Sequence, residues 1–162
     1  MSIQKVWGSV RGDASHLEEQ YDKIYRYCYF KLRQRELAED ITQETFLRCF
    51  SQGGCQGNVY ELRYLYTVAR NLCIDEYRKK KALLLQGEEV IEDIGAEERM
   101  LSGVALKIAL SELEEEEREL LLLRYVNEVP VGVICKIWKI SRYALYRKVQ
   151  KALRKLETAL ED

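Results

Sequence analysis

Histidine and proline occur once each, as His16 and Pro130, and no cysteine stands in a C-x-x-C pair. A lone histidine and five scattered cysteines (Cys28, Cys49, Cys55, Cys73, Cys135) assemble no zinc-ligand spacing, so the thiols read as reduced and mostly buried. Net charge is lacking too. The 26 basic and 27 acidic residues leave a formal charge of -1, so the whole molecule does not attract a polyanion and any nucleic-acid surface has to be local. The amino terminus has no basic-then-apolar leader, and no apolar run approaches the roughly 20 residues that cross a bilayer. A cytoplasmic protein without membrane insertion is expected. Ser/His/Asp order, a P-loop and a G-x-G-x-x-G turn are all missing. No catalytic role, cofactor or metal site is expected, and His16 reads as a first-turn surface residue.

What is present favours helices. Leu, Glu, Lys and Arg abound, and 162 residues with 47% hydrophobic content suffice for one ordinary domain or two small helical ones. Ser15 and Glu18 form a capping box ahead of a first helix, with Leu17, Tyr21, Ile24, Tyr25, Cys28 and Leu32 as its core stripe. A second helix spans about Glu36 to Phe50. Ala38, Ile41, Thr45 and Cys49 lie on one side of it and Asp40, Gln43, Glu44 and Leu47 on the other. The glycine-rich stretch from Gly53 to Asn58 predicts a loop. A third helix runs from about Glu61 to Lys81, burying Leu62, Leu65, Tyr66, Ala69, Leu72, Cys73 and Tyr77.

Residues 82 to 102 keep no period and carry six acids between Glu88 and Glu98, which reads as a linker. Periodicity resumes from Val104 to Leu110, and a second capping box, Ser111 with Glu114, precedes a helix reaching about Tyr125. Asn127 to Pro130 form a turn, with Pro130 in the first turn of a short helix ending near Trp138. Lys139, Ile140 and Ser141 interrupt, and Ser141 caps a last, longer helix. Two helices joined by so short a turn suggest helix-turn-helix.

Three surfaces bear on function. From Arg142 to Lys155 there are six basic residues and no acid, a local +6. Val149, Ala152, Leu153 and Leu156 can face the core while Arg142, Tyr146, Arg147 and Gln150 point outward, as a major-groove helix requires. A solvated basic face is the plain alternative, and the preceding short helix and turn favour DNA. From Arg70 to Lys81 five basic residues outweigh Asp75 and Glu76. Cations at a helix carboxyl end are ordinary dipole partners, although Tyr60, Tyr64 and Tyr66 nearby could stack on unpaired bases. Asp40, Gln43, Glu44 and Leu47 follow i, i+3, i+4, i+7 spacing. Spacing alone reads as a solvated face with one stray leucine, and the alternative is a docking face for a partner helix.

The segment Ala38 to Arg48 (AEDITQETFLR) resembles the D-[LI]-x-Q-[ED]-x-F-L motif with which extracytoplasmic-function sigma factors of bacterial RNA polymerase bind the polymerase clamp. Tyr64 to Lys79 (YLYTVARNLCIDEYRK) is similar to that family's W-L-x-x-I-A-R-N-x-x-I-D-x-x-R-K helix, which contacts and melts the minus-ten promoter element. Ala109 to Leu113, with Arg118 and Leu121 to Tyr125, resembles the start of the domain that reads the minus-thirty-five element. The resemblance implies an all-α protein of two small domains: a sigma-2-like domain over 1–81, an acidic linker over 82–103, and a sigma-4-like helix-turn-helix domain over 104–162. It places Asp40, Gln43, Glu44 and Leu47 on core RNA polymerase and Tyr64, Arg70, Asn71, Arg78 and Lys79 at the melted element. Asn58 would lie at a pocket for a flipped base, and Arg142, Tyr146, Arg147 and Lys148 would enter the distal promoter DNA. An anti-sigma factor is an implied partner. Tyr64 stands where the family has Trp. Lys139 replaces the turn glycine, which costs about 1–2 kcal/mol if the turn is left-handed. Two rival readings remain open: a helix-turn-helix regulator that never touches polymerase, and a helical protein-interaction module.

Overall fold

The computed structural model describes residues 14–51, 55–56, 59–87 and 103–161, and the side chains of 17–51, 61–87 and 103–161. Asn58 and the acidic stretch from Glu88 to Glu98 lie outside the described residues, as do the side chains of Ser15, His16, Cys55 and Tyr60. Among the described residues the chain is helical apart from one minimal ladder, and it divides into two compact units, Met1–Asp93 and Ile94–Asp162.

The first unit packs three helices, α1 (Ala14–Leu32), α2 (Arg35–Ser51) and α3 (Leu62–Leu85), each against the other two. α1 starts one residue before Ser15, which therefore sits inside the first turn and not at the N-cap. The reversal from α1 to α2 takes only Arg33 and Gln34. Arg33 manages it in the left-handed region, at φ 55°, while its amide donates to the Tyr29 carbonyl. The expected stripes meet in the core: Leu17, Ile24, Cys28 and Leu32 from α1, Ala38, Ile41 and Cys49 from α2, and Leu65, Ala69 and Cys73 from α3. Tyr27 and Tyr66 meet edge to face there, with ring centroids 5.8 Å apart. Thr42 and Thr45 are buried at no polar cost. Their hydroxyls donate one turn back, to Ala38 (2.6 Å) and Ile41 (2.7 Å).

Three expectations change here. Tyr77 was placed in the core stripe but is half exposed, at 50%. At about 1.5 Å per residue, the 24 residues of α3 outrun the 17 and 19 of its partners, and no residue of α3 after Cys73 is buried. α3 also continues past Lys81 to Leu85, because Ala82 and three leucines are good helix formers. It stops where Gly87 takes φ 82°. Within the stretch expected to be a loop, Cys55–Gln56 pairs antiparallel with Val59–Tyr60, in register Cys55 with Tyr60 and Gln56 with Val59. Val and Tyr favour extended backbone, and a ladder of two residues leaves the all-α class intact.

The second unit comprises α4 (Val104–Ser111), α5 (Glu115–Leu121), a π-helical turn (Leu122–Val126), α6 (Val131–Trp138) and α7 (Arg142–Glu161). α7 is its spine, touching α4, α5 and α6. Leu113, Leu121 and Ala152 form a core cluster flanked by Leu110, Leu153 and Leu156, and Ile134, Leu145 and Val149 are also buried. The expected Ser111 and Glu114 capping box does not form. Ser111 ends α4 and donates its hydroxyl back to the Ile108 carbonyl, so Glu114 holds the N-cap of α5 without a side-chain bond. The acids Glu115, Glu116 and Glu117 still suit the helix dipole. The helix expected to reach Tyr125 is α-helical only to Leu121 and widens into the π turn. Pro130 is the N-cap of α6 and its carbonyl accepts from Val133 and Ile134.

The turn between α6 and α7 is the three residues Lys139, Ile140 and Ser141. Lys139 adopts φ 56°, ψ 46°, so the lysine does occupy a left-handed position. Ser141 caps α7 as expected, its Oγ accepting from the Ala144 amide at 3.1 Å. Lys139→Gly should raise stability by about 1 kcal/mol, because removing the left-handed penalty exceeds the added unfolded-state entropy of glycine. Ser141→Ala should lower it by about 1 kcal/mol. Both are read from urea midpoints, and a drop for Lys139→Gly would contradict the left-handed turn.

Candidate nucleic-acid and docking surfaces

Helical geometry, at about 100° per residue, sorts the candidate residues into three surfaces. On α2, Asp40, Gln43, Glu44 and Leu47 fall within an arc of about 100°, opposite the buried Ala38, Ile41, Thr45 and Cys49. Asp40 is exposed, and the other three are half-buried. Glu44 accepts from Arg48 Nε at 2.8 Å. Gln43 is hydrogen-bonded to the Tyr21 hydroxyl of α1, and burial pushes the Tyr21 phenol up from its ordinary value. The Tyr21 ring lies 5.5 Å from that of Phe46. The face is thus braced from α1, a feature that spacing within one helix could not reveal.

On α3, Tyr64, Asn71 and Arg78 recur every seventh residue and share one outward stripe. Asn71 and Arg78 are exposed and Tyr64 is half-buried. Arg70 and Lys79 do not join that stripe. They lie about 100° and 60–100° to either side of it, with Arg70 half-buried and Lys79 exposed beside Glu76 at 3.3 Å. Tyr66, named for possible stacking on bases, is buried in the core.

On α7 the burial pattern divides the basic run. Arg142, Arg147, Lys151 and Arg154 are exposed, and Tyr146 is exposed among them. Gln150 is half-buried. Two of the six cations turn toward α5 instead. Lys148 Nζ lies 3.8 Å from Glu116 Oε1, and Lys155 Nζ donates to Glu117 Oε1 at 2.7 Å. The Glu117 side chain is only 9% exposed, and its other carboxylate oxygen is buried without a hydrogen-bond partner. The local +6 of the sequence therefore divides into four exposed cations and two that are engaged by α5. No spacing rule would find this, since Glu117 and Lys155 lie 38 positions apart. Tyr143, whose ring carries the Arg147 guanidinium at 5.8 Å, also escaped the sequence reading.

Among the described residues Cys28, Cys49, Cys73 and Cys135 form no disulfide, and the first three of them are buried. Among the described residues no group of three or more His, Cys, Asp or Glu could hold a metal ion, and no helix is long and apolar enough to cross a membrane.

The hydrogen bond to Glu117 raises the Lys155 pKa above the ordinary lysine value against a smaller lowering by desolvation. A raised amine pKa stabilises the fold fully below the unfolded value, and the contribution is lost as pH rises through the folded one. The stabilities of the parent and of Glu117→Gln should therefore differ at pH 7 and converge above about pH 10.5. Lys155→Ala should lower the melting temperature more than Lys151→Ala, because it strands a buried carboxylate. Equal losses would mean that the pair does not hold α5 to α7.

The chain is similar to known proteins over most of its length. The model of Sigma-70 region 2 matches residues 17–83. The chain is 30% identical over 158 residues to the ECF RNA polymerase sigma factor BldN of Streptomyces coelicolor, an alignment covering 90% of this chain but 60% of BldN. It is 31% identical over 124 residues to SigM of Bacillus subtilis, covering 73% of this chain and 76% of SigM. Among solved structures it resembles the sigma factor RpoE, crystallised with the anti-sigma factor NepR from Bartonella quintana. The TM-score is 0.68 at 18% identity, over 91% of this chain and 95% of RpoE, a likeness of fold.

Proposed function

The chain belongs to the ECF RNA polymerase sigma factor family, and from that premise we propose that it binds core RNA polymerase through α2 and directs it to promoter DNA. The observation that carries the reading is the set of three outward surfaces on three helices: an acidic one on α2, a mixed polar one on α3 and a cationic one on α7. Each is backed by a buried stripe. Asp40, Gln43, Glu44 and Leu47 form the docking face. Leu47 supplies apolar area, and the acids supply orientation. Tyr64, Asn71 and Arg78 face unpaired bases of the minus-ten element, with Arg70 and Lys79 contributing charge at the sides. Arg142, Tyr146 and Arg147 face the minus-thirty-five duplex, and Lys148 can join only by leaving Glu116.

The reading divides the chain into a sigma-2-like domain over 1–81, whose last helix runs on to Leu85, an acidic linker to residue 103, and a sigma-4-like domain over 104–162. The protein carries no chemistry of its own and acts in the cytoplasm. By analogy with RpoE, which crystallised with NepR, an anti-sigma factor covers the same surfaces when the protein is held inactive.

Retention on immobilised core polymerase tests the docking face. The parent should be retained, and an Asp40→Arg, Glu44→Arg variant of unchanged melting temperature should lose at least tenfold in affinity, about 1.4 kcal/mol. Equal retention of both proteins removes α2 as the docking helix. Duplex binding without any retention of the parent would leave a regulator that acts without polymerase.

A further inference from the structure

Solvent reaches 71% of Tyr143 and 62% of Tyr146. Two large aromatic rings thus stand on the first two turns of the most cationic helix, on its outward side. Tyr143 follows the Ser141 cap by two residues, and Arg147 stands one turn deeper, at i+4. The Arg147 guanidinium carbon lies 5.8 Å from the Tyr143 ring centroid, and no carboxylate pairs with it among the described residues. Its neighbour Lys148 is drawn instead to Glu116, at 3.8 Å. The difference matters chemically. A carboxylate would consume the in-plane N–H donors of a guanidinium, whereas an aromatic ring engages its π face and leaves that donor fork open.

We propose that Tyr143 is a positioning residue that holds Arg147 as a preset fork for the O6 and N7 acceptors of guanine in the major groove, so that the pair sets base preference at one position of duplex DNA. This rests on the reading of α7 as the duplex-facing helix. An arginine that met only phosphate would need no such orientation, because phosphate contact depends on charge and tolerates many rotamers. Since Tyr143 is mostly exposed, its removal should leave the fold unchanged.

The test selects duplexes from a randomised pool with the 162-residue chain. It then measures affinities on variants of the selected duplex for the parent, Arg147→Ala, Tyr143→Ala, Tyr143→Phe and the double alanine variant. Arg147→Ala should abolish a guanine preference at one position. Tyr143→Ala should cut that same preference about two- to fivefold, Tyr143→Phe should restore it, and the double variant should be no worse than Arg147→Ala. A loss from Tyr143→Ala spread evenly over all duplexes overturns the positioning role, as does a Phe variant no better than Ala. If Arg147→Ala weakens every duplex equally, Arg147 is a phosphate contact; the proposal fails while α7 remains the DNA helix. If the parent enriches no sequence, the reading of α7 fails and this inference with it.

Discussion

Burial of one apolar stripe per helix is the constraint on which the structure depends. A chain with a net charge of -1 cannot attract DNA as a whole, so its cations must be gathered locally. Amphipathic helices achieve that gathering without a special binding element. Once Leu145, Val149 and Ala152 are committed to the core, the rotation of α7 is set, and Arg142, Arg147, Lys151 and Arg154 are turned to its exposed side. The same argument turns Asp40 and Glu44 outward on α2, and Asn71 and Arg78 outward on α3. The exposed cations of α7 and the acids Asp40 and Glu44 thus stand on different helices.

Within the second unit, α5 supports the cationic helix electrostatically as well as by packing. Glu117 is nearly buried and depends on Lys155 for its counter-charge. A buried pair of this kind adds little net stability over an apolar contact, but it is intolerant of losing one member, so it fixes how α5 lies along α7. Lys148 is in a looser version of the same arrangement. At 3.8 Å and partly exposed, its attraction to Glu116 is weak enough for a phosphate to compete. The helix thus carries structural cations on one flank and available ones on the other.

Left-handed backbone at Arg33, Glu128 and Lys139 makes a further point about economy. Each residue sits in a short connection that glycine would make without strain, and the side chains of Glu128 and Lys139 remain in solvent while that of Arg33 is half-buried. The strain, about 1–2 kcal/mol at each position, is tolerated because the flanking helices leave the connecting residue no alternative path. Short, strained connections also hold α6 and α7 at a set angle, which the role proposed for α7 needs more than it needs the last increment of stability.

Much of this was legible in the residues: the helices, the Ser141 cap and the core stripes of α1 and α2. The acidic face and the two motif segments could be read as well, because they are local patterns with a period that one helix enforces on itself. Other features depended on distance in space. Tyr77 falls on the apolar side of its helix yet is half exposed, since α3 outlasts the helices beside it. Ser111 has the right spacing for a capping box but bonds backward, because α4 ends on it. Which of the six cations of α7 remain available was settled by Glu116 and Glu117 on another helix, and the brace from Tyr21 to Gln43 likewise crosses between helices. Periodicity along the chain determines which face a residue takes, but only the packed neighbours decide what that face meets.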